Sequence, residues 1–371
     1  MKYYLIAGEA SGDLHGANLM KALKEGDAQA EFRFFGGDLM RAEGGTLIKH
    51  YADMAFMGFV EVIANLPAIL KNLSFCKSDI LAWQPDVLIL IDFPGFNLKI
   101  AEFAKKNNLM VCYYISPKVW AWNPKRVLKI KRIVDHMFCI LPFEVDFYKQ
   151  WGMEVDYVGN PLLDAKAGFN PLPDFYNISK LSPEKKIIAL LPGSRKQEIS
   201  YLLPEMLKAS ENFPDRQFVI AGAPSFDIAF YNRFLGEKKI PVLFNMTYDL
   251  LNNSEAAIVA SGTATLETAL FHVPQVVVYK GNNISITIAR IVIKIRFISL
   301  VNLIMDSAVV KELIQQECNP KNIADEVDLL INDKNYRSRM LDNYNKLDER
   351  MGKPGASGRT ATLIVKYLQK K

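Results

Sequence analysis

Asp92 stands directly after the unbroken apolar run Val87-Leu88-Ile89-Leu90-Ile91 and before Phe93-Pro94-Gly95-Phe96-Asn97. A carboxylate there could take a proton from a hydroxyl as a general base, or simply cap a following helix. Arg195 closes Leu191-Pro192-Gly193-Ser194-Arg195, after the run 187–191. A guanidinium beside a glycine turn can grip a phosphate bidentately and neutralise a departing diphosphate, or pair on the surface with Glu198. Ser261-Gly262-Thr263 follows the run 256–260 and opens a helical pattern with Glu267 near its first turn. Strand, small-residue loop and helix N-terminus make a cradle for an anion. Glu267 could accept bonds from ribose hydroxyls or only complement the helix dipole.

The chain opens on a similar arrangement. The run 3–7 leads into Gly8-Glu9-Ala10-Ser11-Gly12-Asp13-Leu14-His15-Gly16, which reads at first as a second anion cradle, with His15 as a ligand-binding or structural side chain. Neither this loop nor the others has the Walker A or G-x-G-x-x-G pattern, so ATP hydrolysis and hydride transfer lack support. Ser11 is one place late for a nucleophile elbow. There is no H-E-x-x-H, no D-x-D and no metal-ligand spacing among the four histidines. Cys76, Cys112, Cys139 and Cys318 form no C-x-x-C pair and read as buried, reduced thiols. No metal or cofactor is expected.

These residues need strands to end beneath them. Strand candidates at 3–7, 32–36, 87–91, 110–115 and 137–141 alternate with helical patterns, the first of them at 14–24. After a proline-rich passage (Pro161, Pro171, Pro173, Pro183) the alternation restarts at 187–191, 217–221, 241–244, 256–260 and 275–279. That pattern implies βαβ units and parallel sheets. The chain's 371 residues exceed a single core. The expectation is two α/β Rossmann-like domains facing each other across a cleft: residues 1–165, residues 166–345, and a helical tail at 346–371. The tail either returns onto the first domain or packs on a second copy in a homodimer.

Half of the residues are hydrophobic and 23% charged, which excludes a disordered chain. The net charge of +5 is too modest to name a partner. The N-terminus lacks a signal-peptide pattern, so a cytoplasmic protein is expected. Residues 116–134 hold Lys118, Lys125, Arg126, Lys129, Lys131 and Arg132 with Trp120 and Trp122 and no acidic side chain. Residues 284–305 are aliphatic and basic, and residues 54–70 are long and apolar but hold Glu61, Asn65 and Pro67. Tryptophan with lysine and arginine suits a bilayer interface. RNA would want a less aliphatic surface, and no nucleic-acid partner is expected.

The stretches 7–13, 91–97, 116–122 (Ser-Pro-Lys-Val-Trp-Ala-Trp), 141–144 (Leu-Pro-Phe-Glu), 158–161 (Val-Gly-Asn-Pro), 191–195 and 261–267 (Ser-Gly-Thr-Ala-Thr-Leu-Glu) together resemble lipid-A-disaccharide synthases, in the same order and over nearly the whole chain. The resemblance implies a GT-B-type, inverting, metal-independent glycosyltransferase. Its donor would be UDP-2,3-diacylglucosamine and its acceptor 2,3-diacylglucosamine 1-phosphate, giving a β-1,6-linked disaccharide 1-phosphate and UDP at the cytoplasmic face of the inner membrane. Asp92 would be the base and Arg195 would stabilise the leaving UDP. Gly193, Ser194, Ser261, Gly262, Thr263, Glu267 and Asn302 would join Arg195 in holding the donor. Glu9, Ser11, Gly12 and His15 would lie on the acceptor side, and the apolar 54–70 stretch would take acyl chains. Some relatives carry a second aspartate where this chain has Gly95, which leaves Asp92 as the only carboxylate. Asn160-Pro161 stands where others have histidine. The rivals are another two-domain UDP-sugar enzyme, such as a UDP-GlcNAc epimerase or the peptidoglycan glycosyltransferase, and a non-catalytic nucleotide-binding protein at the membrane surface.

Overall fold

The continuous apolar runs become strands buried on both faces. Lys2–Ala7 (β1), Glu31–Gly36 (β2), Thr46–His50 (β3), Val87–Ile91 (β4), Met110–Tyr114 (β5), His136–Cys139 (β6) and Asp156–Tyr157 (β7) form one sheet, in the order β3-β2-β1-β4-β5-β6-β7. Its pairings are parallel. Successive side chains of a strand point to opposite faces. Tyr3, Leu5 and Ala7 therefore join a core with Leu19 and Leu23 of helix Ala10–Gly26, while Tyr4 and Ile6 join one with Leu73 and Ile80 of helix Leu66–Trp83. With helices on both faces, every residue of β4 is buried.

Ile187–Leu191 (β8), Gln217–Gly222 (β9), Val242–Phe244 (β10), Ser254–Ala260 (β11), Gln275–Tyr279 (β12) and Lys311–Ile314 (β13) form a second parallel sheet, ordered β10-β9-β8-β11-β12-β13. The computed structural model describes residues 1–54, 66–281 and 296–370. The apolar 54–70 stretch and the 284–305 tract therefore lie largely outside the described residues. No helix among the described residues is long and apolar enough to cross a membrane.

Two compact units result, Met1–Asp164 with Lys353–Lys371, and Ala165–Gly352. The chain leaves the second unit at Gly352, later than the 345 expected, because helix Lys334–Met351 runs unbroken to it. Helix Ala356–Gln369 belongs to the first unit. Its Ala361 and Ile364 join the core of Leu19 and Leu23, and the Tyr367 hydroxyl donates to Asp156 Oδ2 at 2.9 Å. The Asp164 carboxylate accepts from the N–H groups of Gly355 and Ala356 at its start.

Two sequence expectations need correction. The first helix begins at Ala10, not Leu14, so most of the opening loop is helical. Its glycines are packing sites. A Cβ on Gly12 would meet the Cβ of Ala7 at 3.2 Å, and one on Gly16 would meet Met40 Sδ at 2.5 Å. Strands β3, β7 and β13 went unread. All three are sheet edges, where one flank has no neighbour and polar residues such as Lys49 and Lys311 interrupt the apolar run.

Candidate active site

In each sheet the strand order reverses once, at β1/β4 and at β8/β11. Open parallel sheets bind ligands outside the carboxyl ends of the strands at this switch point. The chain leaves β1 at Gly8-Glu9 and β4 at Asp92; it leaves β8 towards Gly193 and β11 at Ser261.

The first switch point is built around backbone strain. Asp92 and Phe93 have φ of +44° and +48°, a left-handed conformation that costs on the order of 1–3 kcal/mol per residue. Three hydrogen bonds hold it. The Asp92 N–H donates to Tyr114 O at 3.0 Å, while the Asp92 carbonyl accepts from the Tyr113 hydroxyl at 2.6 Å and from Asn97 Nδ2 at 2.8 Å. Gly8 is required beside it, because a Cβ there would fall 2.2 Å from the Phe93 ring. The Asp92 side chain is not a helix cap. Phe93 occupies the N-cap position of helix Pro94–Lys106, with no side-chain cap bond. Burial pushes the Asp92 carboxyl up to about 6; Glu9 adds to the rise and the Lys118 ammonium opposes it. A half-buried carboxylate with that value is ionised at neutral pH and basic enough to accept a proton.

Around it, Glu9 is the N-cap residue of helix Ala10–Gly26 but makes no side-chain cap bond. Ser11 is exposed, Gly12 buried and His15 half-buried. Burial pushes the His15 imidazole down to about 4, so at pH 7 it is neutral and cannot serve as a cation for phosphate. Asp13 is wholly committed to structure: its two oxygens accept from the N–H groups of Gly37, Leu39 and Met40 at 2.7–3.1 Å.

The second switch point is open. Gly193 sits at φ +103°, which favours glycine, followed by exposed Ser194. Arg195 is the N-cap residue of helix Lys196–Ala209; its side chain is 71% exposed and Nη1 reaches Glu198 Oε1 at 3.3 Å. An ion pair this exposed is worth little and leaves the guanidinium available. Gly262 is extended, and an added Cβ there would meet none of the described residues within 4 Å. It precedes helix Thr263–Leu270, whose first N–H groups point out of the helix end. Ser261 Oγ is used internally, donating to Ile298 O at 2.9 Å. Glu267 is half-buried, and burial raises its carboxyl; Oε1 accepts from the Tyr248 hydroxyl at 3.0 Å. Among the described residues no cluster of three His, Cys, Asp or Glu could hold a metal ion.

Residues 3–361 match the family model described as lipid-A-disaccharide synthetase. The chain belongs to the lipid-A-disaccharide synthase family. The lipid-A-disaccharide synthase of Syntrophus aciditrophicus is 39% identical over 373 residues, covering 99% of this chain and 97% of that protein. The one from Trichlorobacter lovleyi is 38% identical over 371 residues, covering 98% and 97%. The co-structure of S. aureus MnaA with UDP shares the fold at a TM-score of 0.71 and 15% identity, over 99% of this chain and 97% of that one. The two parallel Rossmann-type sheets are thus those of a GT-B fold, in a family of glycosyltransferases.

Within this lipid-A-disaccharide synthase framework, some expected site residues are committed elsewhere. Asn302 is 1% exposed, and its amide is spent inside the protein. Nδ2 donates to Val310 O and Glu312 Oε1 at 2.9 and 2.8 Å, and Oδ1 accepts from the N–H groups of Val309 and Val310. It has no hydrogen bond left for a donor sugar. The Trp120 ring meets Phe143 edge-on, and its Nε1 donates to Glu144 at 3.2 Å. Trp122 is 42% exposed, with the Arg126 guanidinium 4.8 Å from its ring centre. Sequence reasoning gave no role to Tyr113, Asn97 or Tyr248, which hold Asp92 and Glu267. Asn97 falls within the 91–97 stretch and could have been found there; Tyr248 comes from another βα unit and leaves no local signal.

Proposed function

We propose that the chain transfers 2,3-diacylglucosamine from its UDP derivative to the 6-hydroxyl of 2,3-diacylglucosamine 1-phosphate, with inversion. The observation that carries the reading is Asp92: a carboxylate in a strained turn at a switch point, raised to about 6. It removes the hydroxyl proton as the acceptor oxygen attacks C1 of the donor. The bond from C1 to the diphosphate oxygen breaks, and UDP leaves with the electron pair. Arg195 and the N–H groups opening helix Thr263–Leu270 take up the charge that develops. Glu267, steadied by Tyr248, receives the ribose hydroxyls. Glu9 and the first turn of helix Ala10–Gly26 hold the acceptor.

The donor and acceptor are acylated, and the surface supports attachment to the cytoplasmic face of the inner membrane. Leu66 and Leu70 of helix Leu66–Trp83 are 46% and 53% exposed. Leu70 lines a cavity of about 450 Å³ with Leu73, Phe103, Lys77, Lys99, Lys106 and Glu102, whose carboxylate pairs with Lys106 at 3.9 Å and leaves a net positive rim. Trp122, Arg126 and exposed Leu128 add a second amphipathic patch. Apolar side chains beside lysines suit anionic lipid.

Incubation with acylated donor and acceptor tests the reading, with disaccharide and UDP as products. A protein that acts on UDP-GlcNAc regardless of acylation is a different UDP-sugar enzyme. One that binds UDP without turnover is a non-catalytic binder. Either outcome overturns the proposal. Sedimentation with anionic but not zwitterionic vesicles tests the membrane part separately.

A further inference from the structure

Glu144 is 1% exposed and makes no ion pair among the described residues. Burying a carboxylate without a cation costs stability unless donors surround it. Its donors are specific. Glu144 lies in the first turn of helix Phe143–Gln150, where Oε2 accepts from the Leu141 N–H at 3.0 Å and Oε1 from Trp120 Nε1 at 3.2 Å. Tyr148, one turn on and on the same face, shares a 2.8 Å hydrogen bond with Ser116 Oγ. The Trp120 ring stands edge-on to Phe143 at 5.0 Å. The helix thus grips the 116–122 segment at both Ser116 and Trp120.

That segment begins from strain beside the candidate base. Ile115 has φ +67°, which a β-branched residue rarely adopts. Its N–H is tied to Phe138 O at 3.1 Å, and the Asp92 N–H bonds to the carbonyl of Tyr114, the residue before it. Strands β4 and β5 pair Ile91 with Tyr114, so Asp92 and Ile115 leave the sheet at the same level. Lys118 follows within the gripped segment and is the cation that acts on Asp92.

We propose that Glu144 is a positioning residue for glycosyl transfer: it fixes the 116–122 segment so that Lys118 stays beside Asp92. The inference rests on Asp92 being the base of the proposed reaction. It gives a use to a buried carboxylate that an apolar side chain would replace more cheaply. Asp92 is faced by Glu9 from the end of β1, Tyr113 from β5 and Lys118. Glu144 is faced by Ser116 and Trp120, by Tyr148 of its own helix, by Cys139 of β6 and by Tyr157 of β7. Burial pushes the Glu144 carboxyl up to about 7. Among the described residues Lys118 is the one cation that acts on Asp92, so releasing it raises the Asp92 value.

Carboxyl carbon NMR of protein labelled at aspartate, with the Asp92 signal assigned by Asp92→Asn, reads that value directly. Wild type, Glu144→Gln, Trp120→Phe, Lys118→Met and the double variant Glu144→Gln/Lys118→Met are titrated, and disaccharide formation is followed against pH in parallel. Glu144→Gln and Trp120→Phe should each raise the Asp92 midpoint by about half a pH unit or more, since removing a nearby opposite charge favours the neutral acid. The acid limb of kcat should move with it, and the KM of either sugar should change less than about twofold. Lys118→Met should give the same shift, and the double variant should go no further, because both changes act through one cation. An unmoved Asp92 midpoint in folded Glu144→Gln and Trp120→Phe, or shifts that add in the double variant, overturns the proposal. Trp120→Phe keeps the test decisive if Glu144→Gln does not fold. A wild type that makes no disaccharide overturns the proposed reaction instead, and the titration still decides the role of Glu144.

Discussion

The two switch points share a topology and differ in how closely the protein approaches one glycine at each, Gly8 and Gly262. At β1/β4 the protein itself occupies the space: the Phe93 ring lies against Gly8, and Asp92 is held by three internal hydrogen bonds in a backbone conformation it would not choose alone. At β8/β11 the filling is partial, since Glu198 Oε2 lies 2.7 Å from where a Cβ on Gly193 would fall. Among the described residues Gly262 has no neighbour for a Cβ, and Arg195 is exposed with one weak ionic partner. The first site is organised before any substrate arrives, as a proton-transfer group must be, because a misplaced base loses most of its effect. The second offers open N–H groups and an exposed cation, which suits gripping a diphosphate and letting it go.

If the first site is the preorganised base, Asp92→Ala should have the largest effect. Disaccharide formation should fall roughly 10²–10⁴-fold while UDP binding by calorimetry stays near wild type. Retention of more than about a tenth of the rate would remove Asp92 from the role. In the wild type, kcat/KM should fall about tenfold per unit below pH 6, because Asp92 works only when ionised and its value lies near 6. Arg195→Ala comes next. Loss of one donor to the departing oxyanion should lower kcat about 10²-fold; unchanged kinetics would place the arginine outside the site.

Much of this contrast was legible in the sequence, and the boundary has a physical cause. Strands buried on both faces must be apolar throughout, so β4, β5, β8 and β11 and the residues that end them could be read directly. Edge strands carry no such demand, and β3, β7 and β13 were not seen. Whether a small-residue stretch is a loop or a helix depends on what packs against it. Gly12 and Gly16 looked like a cradle because Ala7 and Met40, which they touch, are not their neighbours in sequence. The resemblance put Asn302 on the donor side, yet its four hydrogen bonds to Val309, Val310 and Glu312 exist only once the chain leading into β13 folds back on it.

The glycine contrast can be tested with one methyl group at each site. Gly262→Ala should fold with an unchanged Tm, since Gly262 is extended and unobstructed, but should weaken UDP binding about tenfold if the diphosphate passes over it. Gly8→Ala should do the reverse at the level of the fold. A Cβ at 2.2 Å from the Phe93 ring forces the turn to shift, which lowers stability by about 1–3 kcal/mol. Equal Tm losses in the two variants would erase the distinction between a filled and an open site.

The smallest expected effect is the most specific. Tyr248→Phe removes one hydroxyl, the donor to Glu267 Oε1 at 3.0 Å, and leaves in place the rings of Phe169 and Phe271 that hold Tyr248 at 5.8 and 4.9 Å. A typical hydrogen bond is worth about 1 kcal/mol net, so the KM for the donor should rise roughly fivefold with kcat at saturation unchanged. The split matters more than the size. Glu267 sits half-buried with its carboxyl already raised, so losing a donor raises it further and weakens an acceptor meant for hydroxyls. That penalty falls on binding, equally in the ground and transition states. A drop in kcat instead would mean that Glu267 acts on the reacting centre and that the open site, like the filled one, is organised for chemistry.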